Sequence, residues 1–464
     1  MEDLKQLACN IFTQALADCS IPHAFDRALR IENNQLLVDG EPPIHLDRLK
    51  RIRIVAAGKA AAPMLEALLA RLALPPSCSL AGVLIAPQRP QNLPASIDFF
   101  AGGHPSPNEA SFAGASAALS MLRAVADSSA DDTLCLFLIS GGASSMMELP
   151  LDLSAPSISL ADTVAFHQAL VLSGASIVEI NCVRKHFSAI KGGRLALAAG
   201  HARKLSLLVS DVPPANLDAL ASGPTLPDPT TVADCRDILA RYALLEHFPA
   251  PIRSFFEPSA LPETPKPSQL SSPSRTLLDS SALAAAAQSR AAALGFHVVI
   301  DNACDDWPFD RAANYLLDRL RTLRRDHPRC CLISTGEVSV PVPDFTDSAS
   351  HLGGRNQHLA LYLATQLRPD DSPIAILSAG SDGIDGNSAA AGAIIDDYTL
   401  DDTDSLATSS HREPPASSLR ATALHALAAF DSSSWLSAAG AIIVTGPTGH
   451  NLRDLRILLA DAAS

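Results

Sequence analysis

Short apolar runs alternate along this chain with longer Ala/Leu-rich stretches. The runs RIRIVAAGK (51–59), AGVLIAP (81–87), TLCLFLISGG (133–142) and KLSLLVSD (204–211) are brief, and most close on small residues or an aspartate. Such runs read as buried strands. The segments between them, such as AAPMLEALLARLAL (61–74) and ASFAGASAALSMLRAVAD (110–127), read as helices. Strand–helix alternation predicts a parallel sheet with helices on both faces.

Residues 249–275, PAPIRSFFEPSALPETPKPSQLSSPSR, break the pattern. Their proline and serine content and lack of a lasting period predict a linker or surface crossing, with disorder as the alternative. The alternation then resumes. SALAAAAQSRAAALG is a helix ending at Gly295, HVVID a strand, FDRAANYLLDRLRTLRRD a helix and RCCLISTGE a strand. PIAILSAGSDGIDG and GAIIVTGPTGHN follow as strand-to-loop segments. Two α/β domains meeting near residue 270 are expected, drawn as 1–265 and 266–464, without a short internal repeat.

Composition narrows the function. At 47% hydrophobic and 18% charged residues, the 464-residue chain can build a sizeable core. A net charge of −14 argues against general affinity for nucleic acid or anionic lipid, while leaving room for a local cationic pocket. The nine cysteines form no C-x-x-C pair, as expected for buried thiols in a reducing compartment. The first residues, MEDLKQLACNIFTQAL, are amphipathic and carry acidic side chains, unlike a secretory signal. No apolar run approaches the roughly 20 residues of a membrane span. A cytoplasmic protein with neither membrane nor nucleic-acid partners is expected.

In open α/β sheets ligands bind beyond the carboxyl ends of the strands. The residues there are Gly58-Lys59, Gly102-Gly103-His104, Ser140-Gly141-Gly142 with Ser144 and Ser145, Ser210-Asp211, Gly336-Glu337, Asp382 to Gly386, and Thr445 to Asn451. Glycine and serine let backbone N–H groups approach an anion, and carboxylates can hold a hard divalent cation. Together they suggest a phosphate with its metal. A Walker A loop, a G-x-G-x-x-G fingerprint and a G-x-S-x-G elbow are all absent from these positions. NCVRKHFSAIKGGRLA (181–196) gathers Arg184, Lys185, Lys191 and Arg194 and reads either as a solvated basic face or as a cationic site. In HLGGRNQHLAL, Gly353-Gly354 and Arg355 open a helix. An arginine there gains nothing from the helix dipole and is better aimed at a carboxylate or phosphate.

These segments resemble the class II glycerate kinases, whose C-terminal part is called MOFRL. The resemblance rests on AAGKAA, GGHPSPNEAS, LISGGASSM, SGASIVEINCVRKHFSAIKGGRLA, SDVPPANLDALASGPTLPD, STGEVSV, GGRNQHLAL, SAGSDGIDGNSAAAGAIID and TGPTGHNLRDL. It implies an N-terminal Rossmann-like three-layer parallel sheet, a MOFRL-type α/β domain and an active site in the cleft between them. It further implies phosphorylation of D-glycerate at its 2-hydroxyl by ATP with Mg²⁺ or another divalent cation. Lys59 and Arg355 take the catalytic positions, with Asp211 toward the metal or the hydroxyl. Glu337 and Asp382 are further metal candidates. His104, Ser140, Gly141, Gly142, Ser144, Ser145, Lys191, Gly353, Gly354, Asn356, Thr445 and Asn451 are the binding candidates.

The chain departs from the family pattern at Ala143 and Ser145, and at Pro214-Ala215 where glycine-aspartate is usual. It departs again at Phe430, where asparagine is expected, and at His450 in place of threonine. Asn216 or Asp218 is the expected substitute for the carboxylate missing at 215. A reductase acting on hydroxypyruvate and a ligand sensor without turnover are the competing readings. The oligomeric state is expected to be monomer or homodimer.

Overall fold

The computed structural model describes residues 3–152, 157–257, 261–342, 351–401 and 418–462. The chain divides into two compact units, one of Ile21–Leu277 and one of Met1–Ser20 with Leu278–Ser464. The boundary falls twelve residues beyond the expected one. The larger departure is at the start of the chain, which belongs with the C-terminal unit. The helix Leu4–Asp18, capped by the Asp3 side chain, buries Ala8, Ile11, Phe12 and Ala15. That face packs on the helix Ser280–Ala293 and the strand Ile374–Gly380. Arg290 then grips Asp18 through Nε and Nη2 at 2.7 and 2.6 Å.

The sheet of the Ile21–Leu277 unit runs in the order Ile97–Ala101, Ser79–Ala86, Arg51–Ala57, Thr133–Ser140, Arg203–Val209, Ser274–Leu278. The pairings from Ile97–Ala101 through Arg203–Val209 are parallel, as the alternation predicts. Thr133–Ser140 is buried along its whole length, which is why its sequence shows no polar alternation. Parallel pairing sends the strand-end loops after Arg51–Ala57, Thr133–Ser140 and Arg203–Val209 to one edge of the sheet.

The second sheet is mixed rather than parallel. Its order is His297–Ile300, Cys330–Thr335, Asp454–Ala460, Ile374–Gly380, Gly392–Asp396, Ile442–Ile443. Asp454–Ala460 lies near the middle and runs antiparallel to both neighbours. Its sequence, DLRILLA, hides this role because it buries Asp454 and Arg456 completely.

The proline-rich stretch is not a linker. The helix Ala250–Phe256 buries Ile252, Phe255 and Phe256, and both phenylalanines pack in an aromatic cluster with Phe166, Phe187 and Phe248. Thr264 is fully buried and donates to Asp228 at 2.9 Å. Residues 258–260 lie outside the described residues.

Candidate active site

In the Ile21–Leu277 unit, three strand ends converge on Gly141 and Gly142. Lys59 donates its backbone N–H to the Gly141 carbonyl at 2.9 Å, and Ala60 donates to Ser140 Oγ at 3.0 Å. Ser140 thus ties the lysine loop to the neighbouring strand. The Lys59 side chain passes over Gly142, so that a Cβ built there would meet Lys59 Cγ at 3.1 Å and His104 Cδ2 at 3.2 Å. Gly142 also has φ +84°, in the left-handed region that favours glycine. The Asp211 carboxylate presses on Gly141, where a Cβ would come within 1.9 Å of Oδ2. Lys59, His104 and Asp211 therefore gather around one two-glycine turn. Burial, aided by the Lys59 charge, lowers the pKa of His104, so its imidazole is neutral at pH 7.

The stretch after Asp211 builds the next wall. Ala221, Ser222 and Gly223 all have positive φ, at 52°, 58° and 62°. For alanine and serine that conformation costs roughly 1–2 kcal/mol each. It sets Ser222 Oγ between Ser144 Oγ at 3.0 Å and Asn181 Oδ1 at 2.9 Å. Ser145 Oγ donates to the Gly142 carbonyl at 3.3 Å.

The two lysines of the basic window are not on a solvated face. Lys191, expected among the binding residues, is fully buried against Glu148. Glu148 also accepts from Ser188 Oγ at 2.7 Å and lies 3.0 Å from His167 Nε2. Burial opposes ionisation of Glu148, but Lys191 and His167 outweigh it and hold the carboxyl well below the usual range. Lys185 is buried between Asp218 at 2.7 Å and Asp228 at 3.2 Å. Asp218, a proposed stand-in for the carboxylate missing at 215, is held by that lysine. Asn216 is exposed.

In the other unit the helix Arg355–Gln366 begins at Arg355. Its Nε and Nη2 donate to Asp454 at 2.6 and 2.9 Å, and Nη2 lies 3.0 Å from Glu337. Burial would lower the Arg355 pKa, but the Asp454, Glu337 and Asp385 carboxylates raise it instead. Asp385 caps the helix by accepting from the backbone N–H of Asn356 at 3.0 Å and of Gln357 at 2.8 Å. Gly354 passes so close that a Cβ there would fall 2.3 Å from Asp385 Oδ1. Burial raises the Asp385 pKa against these hydrogen bonds.

Asn356 turns inward. It is 1% exposed, accepts from Ser378 Oγ at 2.7 Å and donates to Asp385 at 3.3 Å, so it shapes the helix start and is not open to a ligand. Gly353 donates to Asn387 Oδ1 at 2.9 Å. Asp382 accepts from the Ile384 N–H at 3.2 Å. Thr445 Oγ1 donates to the Gly446 carbonyl at 2.9 Å, and Asn451 Oδ1 accepts from the Arg453 N–H at 2.8 Å. Among the described residues, no group of three or more His, Cys, Asp or Glu is placed to hold a metal ion. No helix of the described residues is long and apolar enough to cross a membrane.

Asp454 and Ser222 were not singled out from the sequence, and Asp385 only as one of several strand-end residues. Asp454 sits inside TGPTGHNLRDL, and a carboxylate opening an otherwise apolar run was the signal available.

Comparison with known proteins extends this picture. A family described as a domain of unknown function, DUF4147, matches residues 7–257, and the MOFRL family matches residues 330–454. The chain is 33% identical to a D-glycerate 2-kinase of Thermotoga maritima across 98% of both chains. It is 35% identical to a putative hydroxypyruvate reductase of Agrobacterium vitis, covering 88% of this chain and 87% of that one. A crystal structure of a glycerate kinase from Thermotoga maritima matches with a TM-score of 0.79 at 30% identity, covering 99% of this chain and 100% of that chain. Fold and motifs thus define a two-unit α/β chain with a MOFRL domain. The chain belongs to the class II glycerate kinase family.

Proposed function

We propose that the chain transfers the γ-phosphoryl group of ATP to the 2-hydroxyl of D-glycerate, giving 2-phosphoglycerate and ADP. The gathering of Lys59, His104 and Asp211 around Gly141-Gly142 carries this reading. The full-length similarity to a D-glycerate 2-kinase supports it.

The 2-hydroxyl oxygen forms the new bond to phosphorus as the bond to the ADP oxygen breaks. Asp211 accepts the proton released by that hydroxyl. Lys59 and Arg355 are each proposed as a catalytic cation, since fixed positive charge offsets charge spread over phosphoryl oxygens. His104, neutral at pH 7, contributes a hydrogen bond without adding charge. Gly141, Gly142, Ser144 and Ser145 offer backbone and hydroxyl donors for carboxylate or phosphate oxygens.

A magnesium ion bound with the nucleotide would neutralise the β- and γ-phosphates. Such an ion is held largely by the phosphates and needs only one or two protein carboxylates. Asp382 fits that need, whereas Glu337 is engaged by Arg355. The nine cysteines are all thiols, which supports a reducing, cytoplasmic setting.

The test is product identification after incubation with ATP, Mg²⁺ and D-glycerate. 2-Phosphoglycerate is the expected product. 3-Phosphoglycerate would revise the position of attack, and the absence of any phosphorylated acid would sink the proposal. NAD(P)H oxidation with hydroxypyruvate would instead support the reductase reading.

A further inference from the structure

Three of the four cations in the basic window are spent inside the protein. Lys185 and Lys191 pair with the buried carboxylates of Asp228 and Glu148, and Arg194 donates to the carbonyls of Lys185 and Ser188. Arg184 differs. Among the described residues it makes no hydrogen bond and no ion pair, and its Nε is buried without an acceptor. Burial lowers the Arg184 pKa, and the Glu148 charge opposes that shift. Glu148 has no room for another donor. It accepts from the Leu149 N–H at 3.0 Å, from Ser188 Oγ at 2.7 Å and from Lys191 Nζ, and lies 3.0 Å from His167 Nε2. The helix dipole favours a cation in this last turn but pairs none of its donors. A half-buried guanidinium with its donors unpaired is costly unless a ligand takes them up.

The position of Arg184 says which ligand. It lies one turn beyond Asn181 on the same face of the helix Ile177–Phe187. Asn181 is buried and accepts from Ser222 Oγ at 2.9 Å, and Ser222 Oγ lies 3.0 Å from Ser144 Oγ. The Asn181 amide NH₂ has no acceptor among the described residues. Ser144 follows the Gly141-Gly142 turn, around which Lys59 and Asp211 gather. A continuous polar path therefore runs from that turn through Ser144, Ser222 and Asn181 to the unpaired guanidinium.

In D-glycerate the carboxylate is bonded to the carbon that carries the 2-hydroxyl. With the hydroxyl at Asp211, the carboxylate must lie close to the turn. A planar anion with two oxygens matches the edge of a guanidinium. We infer that Arg184, together with the Asn181 amide, binds the carboxylate of the acceptor. The inference rests on the acceptor being glycerate, as proposed above. It makes Arg184 the residue that selects a 2-hydroxy acid over its neutral counterpart, and leaves the phosphoryl donor to other groups.

The test is calorimetric titration of the full chain with D-glycerate, with its neutral amide D-glyceramide and with adenosine 5′-(β,γ-imido)triphosphate, which needs no turnover. Arg184→Met removes the charge at similar length, and its Kd for D-glycerate should rise roughly 10- to 100-fold. Arg184→Lys keeps the charge without the planar fork and should recover part of that loss. Wild type should prefer the acid to the amide, and Arg184→Met should lose the preference. A residue with only a structural role would not change that ratio. Imidotriphosphate affinity and Tm should stay as in wild type. If Arg184→Met melts early, the acid-to-amide ratio of Arg184→Lys decides instead. An unchanged Kd for D-glycerate in Arg184→Met overturns the assignment. So does equal binding of acid and amide by wild type, or no D-glycerate binding at all. Weakened imidotriphosphate binding at unchanged D-glycerate affinity also overturns it and gives Arg184 to phosphate. If wild type binds D-glycerate and Arg184→Met loses it, yet no phosphorylated acid forms, the carboxylate site stands and the kinase reading fails. If 2-phosphoglycerate forms and Arg184→Met binds D-glycerate as wild type does, the carboxylate site alone fails.

Discussion

Asp454 holds Arg355 edge-on, with its two oxygens 2.6 Å from Nε and 2.9 Å from Nη2 of the guanidinium. Asp454 is fully buried at the start of a central strand, so the arginine is anchored to the rigid part of its unit. Two donors are spent on this grip, and Glu337 takes part of what remains. Arg355 therefore offers a fixed charge in place of a mobile one.

Asp454→Asn keeps the shape of the carboxylate and loses its charge. Arg355 should loosen, and kcat/KM for D-glycerate should fall roughly 10- to 100-fold, the scale on which misplaced groups lose rate. Steady-state ADP release at saturating ATP, read beside a melting curve, checks this. Unchanged kcat/KM at unchanged Tm would show that Arg355 does not depend on Asp454.

Lys59→Ala should lower kcat by on the order of 10²–10³ if the ammonium acts on the transition state. Gly142→Ala probes the same place from below, since its Cβ would meet Lys59 and His104 within 3.2 Å at a φ of +84°. It should cost about 1–2 kcal/mol of stability and reduce kcat through Lys59. Normal turnover in Lys59→Ala removes that residue from the mechanism, whatever the glycine variant does.

The strand-end glycines, Lys59 and Asp211 were legible because a parallel sheet must release its chain at one edge, and small residues mark that edge. Arg355 was legible because a cation in the first helical turn has no local reason to be there. The anchors behind it were not. Asp454 and Arg456 break the apolar pattern of DLRILLA, so a strand central to the second sheet carries no clear strand signal. The same logic inverted the basic window. Lys185 and Lys191 look solvated by spacing, yet their partners Asp218, Asp228 and Glu148 lie 33, 43 and 43 residues away. Pairing across such distances leaves no trace in local periodicity. The proline-rich segment was misread because its helix is only seven residues long, too short for a period to register.

Glu148→Gln should expose the cost of that hidden pair. Lys191 would be left fully buried opposite a neutral amide. Removing one partner of a buried pair costs about 3–5 kcal/mol. Urea unfolding should show a lower midpoint, and the double variant Glu148→Gln/Lys191→Met should recover much of the loss. A single variant as stable as wild type would mean that the buried pair contributes nothing.

His358 should make the C-terminal unit acid-sensitive. Its folded pKa is pushed down to about 4 by burial, against an ordinary value of 6.5. Between these values the unfolded chain binds a proton that the folded chain refuses, so stability rises with pH across that window. The contribution is complete above pH 6.5 and is lost as pH falls toward 4. From pH 7 to pH 5 the loss from this one group is roughly 2 kcal/mol. His358→Phe keeps a ring to stack on Phe430 and has no proton to bind. Urea unfolding at pH 5 and pH 7 should show a smaller pH difference for His358→Phe than for wild type. Equal differences would mean that the histidine is hydrated enough to titrate normally, and that the aromatic stack is more open than its packing indicates.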